Sequence, residues 1–227
     1  MHRTRIKICG ITRAADAAVA DACGADAIGM ILHAHSARRI DLPTASAILQ
    51  SLSPFLTPVG VFVDADPAFV AETARSLGLH HVQLHGSEPP EHVAALRDFR
   101  VVKAIRVSET TAEELRRWQL ESTQQRLRNL TGFLLESGAG GSGMESQWDT
   151  IADLRHQRDL ACMHLIAAGG LRPDNVARVV AQVRPWAVDV STGVEDATGV
   201  KSPQKIAEFV AAVREVDKQV ADLRSQI

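Results

Sequence analysis

The chain has 227 residues, 45% of them hydrophobic, enough to build one large core, and single barrels of this size are common. Its 25 basic and 27 acidic residues nearly balance. That excludes a basic excess for nucleic acid or a polybasic run for a membrane surface. The apolar runs are far shorter than a membrane span, and Met1 to Arg5 leads into a strand-like run without the long apolar stretch of a signal peptide. The three cysteines, Cys9, Cys23 and Cys162, show no CxxC spacing. They are expected to be reduced thiols in a cytoplasm.

Taken in order, candidate strands fall at 5–9, 26–32, 57–63, 80–84, 100–105, 131–136, 163–167 and 186–190, each followed by a segment with helical periodicity. Eight strand–helix units on short connections predict parallel α/β architecture, and a closed (β/α)8 TIM barrel ringed by helices suits eight. Residues 1–227 read as a single domain. Thr12 stands where it can cap a first helix running to Cys23, with Gly24 as its stop. Pro43, Pro67, Pro89, Pro173 and Pro203 fall near helix starts, where a fixed φ is tolerated. The polar segment 107–130 predicts an exposed fifth helix and a loop. Ser202-Pro203 opens a capped amphipathic last helix carrying Ile206, Phe209, Val210 and Val213. Its charged end, 214–227, reads as a solvated overhang or a partner surface. An open doubly wound sheet competes, but GxGxxG is absent after the first strand, and Gly141-Ser142-Gly143 follows strand six instead.

Side chains alternate along a strand. With Ile6 and Ile8 turned to the helices, Arg5, Lys7 and Cys9 face inward. By the same parity His81, Gln83 and His85 face in, as do Leu134 with Glu136 and Asp189 with Ser191. Lys103 has apolar neighbours on both sides and no assigned direction. Ionisable groups are costly to bury without partners, and the C-terminal ends of barrel strands are where active sites lie. Cys9, Glu136 and Asp189 together therefore point to a site rather than to a structural ion network.

These residues also carry a resemblance. Lys7-Ile8-Cys9-Gly10-Ile11-Thr12 resembles the opening signature of the phosphoribosylanthranilate isomerase family of tryptophan biosynthesis. The likeness continues in order through Gly24-Ala25-Asp26-Ala27-Ile28-Gly29, Ser36-Ala37-Arg38-Arg39-Ile40, Val59-Gly60-Val61-Phe62-Val63 and Val82-Gln83-Leu84-His85-Gly86. It ends with Gly140-Gly141-Ser142-Gly143, Ala168-Gly169-Gly170-Leu171 and Val188-Asp189-Val190-Ser191-Thr192-Gly193-Val194-Glu195. The resemblance implies a (β/α)8 barrel with no metal or organic cofactor, acting on a small sugar phosphate. It also implies an Amadori rearrangement. An acid protonates the ribose ring oxygen, a Schiff base forms, and a base takes the C2 proton. By match of position Cys9 is the base and Glu136 the acid. Gly169, Gly170, Ser191 and Gly193 hold phosphate, and Arg38 holds the anthranilate carboxylate. Asp189, Gln83 and His85 line the substrate. Lys7, on the same face as Cys9, is expected to lower the thiol's pKa from about 8.5.

The chain departs from the family around strand six. Glu136 stands where the family has aspartate, one methylene longer, which moves the acid by up to about 1.5 Å; a misplacement near 1 Å can lower a rate about a hundredfold. Ser146-Gln147 replaces Phe-Asp before Trp148, Ser202 replaces aspartate after Lys201, and Thr192 replaces serine. Two rival readings follow. One is a metal-dependent epimerase using His33, His35, His85 and Asp189. The other is a diverged paralogue that binds a sugar phosphate without turnover. The sequence leaves monomer and homodimer as alternatives.

Overall fold

A strand covered on both faces needs apolar residues at every position, relieved only where a polar side chain has a partner or faces an open mouth. The computed structural model describes residues 3–124, 127–138, 144–157 and 163–225; Cys162 and the Gly140–Gly143 block lie outside them. Among these residues, eight strands follow that rule: β1 (Arg5–Cys9), β2 (Ala27–His33), β3 (Thr57–Phe62), β4 (His81–Leu84), β5 (Arg100–Arg106), β6 (Leu130–Glu136), β7 (Leu165–Ala168) and β8 (Ala187–Val190). They pair in chain order, all parallel, and β8 returns onto β1 with Arg5 opposite Ala187 and Lys7 opposite Asp189. The closed ring rules out the open doubly wound sheet.

The helices are α1 (Ala14–Ala22), α2 (Leu42–Gln50), α3 (Pro67–Ser76), α4 (Pro90–Ala95), α5 (Thr111–Gln124), α6 (Met144–His156), α7 (Val176–Val183) and α8 (Pro203–Ser225), with a hairpin, β9 (Glu195–Ala197) and β10 (Val200–Lys201), after β8. Outward residues such as Ile6, Ile8, Val82, Leu84, Phe133, Leu135 and Val188 join the helices in the larger core. Inside the ring, small and medium side chains (Ala104, Leu134, Ile166, Ala168 and Ala187) form a separate cluster, which fills the barrel beneath its upper mouth.

Pro43 and Pro67 lie in first turns, and Asp41 and Asp66 accept the N–H groups of Thr44 and Ala68 there. Four local readings are changed or completed by the structure. Thr12 does not cap α1: Arg13 is at the cap position, and the Thr12 hydroxyl donates to the Gly199 carbonyl at 2.5 Å. Lys103 faces outward, where its ammonium donates to Glu88 at 2.9 Å with both side chains buried. Arg5 keeps inward parity but sits at the open lower mouth, its guanidinium 4.6 Å from the Trp186 ring centroid. The start of the charged end is not an overhang. Arg214 donates to the Thr4 carbonyl at 2.6 Å, and Asp217 accepts the Thr4 N–H and hydroxyl.

Candidate active site

The C-terminal ends of the strands open into a cavity of about 570 Å³. Cys9 reaches it as the last residue of β1, Glu136 as the last of β6 and Asp189 from β8. His85 enters just past β4, and Arg38 from the loop after β2. The β7 loop supplies Gly169 and Gly170, and the β8 loop Ser191 and Thr192. Two expected contributors lie outside this lining. Gln83 is buried beneath His85, its Nε2 2.7 Å from His85 Nδ1. Gly193 lies in the turn after β8, where an added Cβ would strike the Leu171 carbonyl. Glycine at 193 thus lets the β7 and β8 loops approach each other.

The thiol of Cys9 is almost enclosed. A Cβ on Gly29 of β2 would sit 2.7 Å from Cys9 Sγ and 2.9 Å from Lys7 Nζ, so the bare glycine makes the space that both occupy. Lys7 donates to Asp189 at 2.8 Å and also reaches Cys9. Burial pushes the thiol's pKa up; the Lys7 charge opposes this but is the weaker influence, and Asp189 reinforces the rise. The expected lowering by Lys7 is therefore outweighed. Burial also disfavours the charge on Lys7, but Asp189 beside it prevails and the ammonium is held firmly protonated.

Glu136 is half-exposed, with its Oε2 3.5 Å from His85 Nε2. The hydrogen bond with His85 lowers its pKa; burial opposes this, and Arg106 adds to the lowering. Arg106 also lines the cavity. It was missed because the candidate strand ended at 105; carrying the parity of Val102 and Ala104 one step further exposes it. Gln147, in place of the usual aspartate, accepts the Gly138 N–H at 2.6 Å and so braces the loop after β6.

A second cluster had no sequence signal, because its members come from distant segments. Arg38 donates from Nε and Nη2 to Glu195 at 2.8 and 2.7 Å. Lys201, fully buried, donates to Glu195 at 2.8 Å and to the Ser191 carbonyl at 3.0 Å. Burial lowers the Lys201 pKa against the pull of Glu195. On Glu195 the same burial is overcome by its two cationic partners, and its pKa falls.

The metal constellation does not assemble. The register of β2 shifts between Ile31 and His33, which breaks the alternation that placed His33 beside His35. His33 Nδ1 meets the Val63 carbonyl at 3.0 Å and its ring packs on Phe69 of α3, while His35 lines the cavity. Among the described residues no group of three or more His, Cys, Asp or Glu side chains is gathered for a metal.

A closed parallel barrel with a thiol, a carboxyl and two glycine-bearing loops converging at its C-terminal mouth defines the class of (β/α)8 enzymes with the active site at the C-terminal ends of the strands. Within that class, residues 6–212 match the model of the N-(5'-phosphoribosyl)anthranilate (PRA) isomerase family, and the chain belongs to that family. The N-(5'-phosphoribosyl)anthranilate isomerase of Myxococcus xanthus is 40% identical over 94% of this chain and 97% of its own. That of Thiobacillus denitrificans is 42% identical over 92% and 98%. Among solved structures, phosphoribosyl anthranilate isomerase from Thermotoga maritima superposes with a TM-score of 0.79 at 33% identity, covering 93% of this chain and 99% of that one. A phosphoribosyl anthranilate isomerase in complex with reduced 1-(o-carboxyphenylamino)-1-deoxyribulose 5-phosphate does so at 0.76 and 34%, with 93% and 99% covered.

Proposed function

We propose that this chain isomerises N-(5'-phosphoribosyl)anthranilate to 1-(2-carboxyphenylamino)-1-deoxyribulose 5-phosphate, a step of tryptophan biosynthesis, by an Amadori rearrangement in the cytoplasm. The observation that carries this reading is the convergence of Cys9 and Glu136 on one cavity with the β7 and β8 loops. Cys9 takes the C2 proton and Glu136 protonates the ring oxygen. The amides and hydroxyl around Gly169, Gly170 and Ser191 receive the phosphate, with Gly193 shaping that loop pair. Arg38 holds the anthranilate carboxylate, and Asp189 and His85 border the ribose, with Gln83 orienting His85. These steps need no metal or organic cofactor. Dimeric and monomeric forms are described for the Thermotoga maritima relative, and a monomer or homodimer is proposed here too.

The test is turnover of phosphoribosylanthranilate by the wild type, Cys9→Ala, Glu136→Gln and Glu136→Asp. General acid–base groups contribute about 10²–10⁴-fold. Cys9→Ala and Glu136→Gln are each expected to lose at least about a hundredfold in kcat. Full activity in either would overturn that residue's role. A faster Glu136→Asp would show that the longer side chain is a handicap. The lowered pKa of Glu136 favours one second reading, a paralogue that binds without turnover. Wild type that binds the reduced product and turns over no substrate would establish it.

A further inference from the structure

Arg38 is assigned above to the substrate's carboxylate, yet one edge of its guanidinium is already taken. Glu195 accepts from Nε and from Nη2, the side edge of the group. A guanidinium carries five N–H donors in a fixed plane, so three remain. One Nη1 hydrogen and the second Nη2 hydrogen form a fork at the end of the side chain. Arg38 borders the cavity, and Glu195 is nearly enclosed at 6% side-chain exposure. Behind Glu195 sits Lys201, with no exposed side-chain surface. Lys201 is also fixed to the Ser191 carbonyl, and its own N–H donates to Asp16 at 3.2 Å. Lys205 donates to the Glu195 carbonyl at 2.6 Å. The carboxylate therefore cannot follow Arg38; it anchors it.

The charges reinforce this. Lys7 and Asp189 cancel as a pair. Arg38 and Lys201 share the single carboxylate of Glu195, which leaves one positive charge beside the cavity. Gly10 lets this cluster pack at the end of β1: its φ is +72°, and a Cβ there would sit 2.8 Å from Arg38 Cδ and 3.0 Å from Ser191 Oγ. We propose that Glu195, backed by Lys201, is a positioning residue that aims the free fork of Arg38 at the substrate's carboxylate. The cluster thereby favours a ligand that carries a carboxylate at that end of the cavity. This rests on the reading of Arg38 given above. The carboxylate keeps its charge through the rearrangement, so its contact is made equally in the ground and transition states. Its loss shows in KM rather than in kcat.

The experiment measures KM and kcat for phosphoribosylanthranilate in wild type, Glu195→Gln, Glu195→Asp and Arg38→Met. It also measures inhibition constants for the reduced product and for the same compound lacking the carboxyl. A hydrogen bond to a charged group is worth about 10- to 100-fold in affinity. Glu195→Gln is expected to raise KM and the inhibition constant of the carboxylate-bearing ligand by about tenfold or more, with kcat within about threefold and binding of the carboxyl-free ligand unchanged. Glu195→Asp, which keeps the charge but withdraws it by about 1.5 Å, should fall between. It carries the test if Glu195→Gln does not fold. Equal weakening of both ligands, or no weakening of either, would overturn the proposal. If Arg38→Met fails to weaken the carboxylate-bearing ligand, the assignment of Arg38 fails. If Arg38→Met weakens it and both Glu195 variants do not, only the positioning role fails.

Discussion

At Cys9, burial raises the pKa of a group that must lose its proton to act as a base. At Glu136, His85 lowers the pKa of a group that must hold a proton to act as an acid. In the free enzyme near neutral pH the thiol is protonated and the carboxylate ionised, so the pair holds one proton on the wrong member. The competent arrangement has the same total number of protons and is its minor tautomer. The rate then falls only when the pair gains a second proton, below the lowered Glu136 pKa, or loses both, above the raised Cys9 pKa. The ordinary values are about 4.3 and 8.5. A plot of kcat/KM against pH is expected to keep the enzyme's own limbs outside that interval; the substrate phosphate adds a limb near 6 that belongs to the substrate. Glu136→Asp should move the acid limb and leave the alkaline one in place. An alkaline limb below about 8 that disappears in Cys9→Ser would show the thiol's pKa lowered and refute this account.

Between elements, the loop that presents His85 is held by a buried ion pair. Glu88 accepts the N–H groups of Gly86 and Asp64, tying the loop after β4 to the loop after β3. Lys103 donates both to Glu88 and to the Gly86 carbonyl. Removing one member of a buried pair leaves the other uncompensated, which costs about 3–5 kcal/mol. Lys103→Met should lose stability of that order in urea unfolding, and Lys103→Met with Glu88→Gln should recover part of it, because the amide oxygen still accepts both N–H groups. A loss below about 1 kcal/mol in the single variant would mean water reaches the pair. This pairing was invisible in the sequence, where Lys103 had apolar neighbours on both sides. The strands were legible because alternation and burial repeat locally, and so were the cavity residues that continue a strand's parity: Cys9, Glu136 and Asp189. The misread features depend on distant partners or on a local slip. Thr12 is turned by Gly199, and His33 is turned by the register shift in β2.

The barrel closes only when β8 reaches β1, joining residues 187–190 to residues 5–8. The last helix secures the same place from outside. Asp217 of α8 accepts the Thr4 N–H at 3.0 Å and the Thr4 hydroxyl at 2.8 Å, and Thr4 is buried. Arg214 bridges to Thr4, to the Gly24 carbonyl and to Asp26, whose carboxylate accepts the Ile6 N–H. These contacts lie at the start of β1, whereas the active site lies at its end, so stability and chemistry are separable here. Asp217→Ala leaves a buried N–H without its acceptor, which costs about 1–3 kcal/mol. For a domain of this size each 1 kcal/mol shifts Tm by about 2–4 °C. The variant should therefore melt about 2–12 °C lower while KM and kcat at 25 °C stay within about twofold. An unchanged Tm would show that water replaces the carboxylate at Thr4. A raised KM would show that strain at the lower mouth travels up β1 to Cys9.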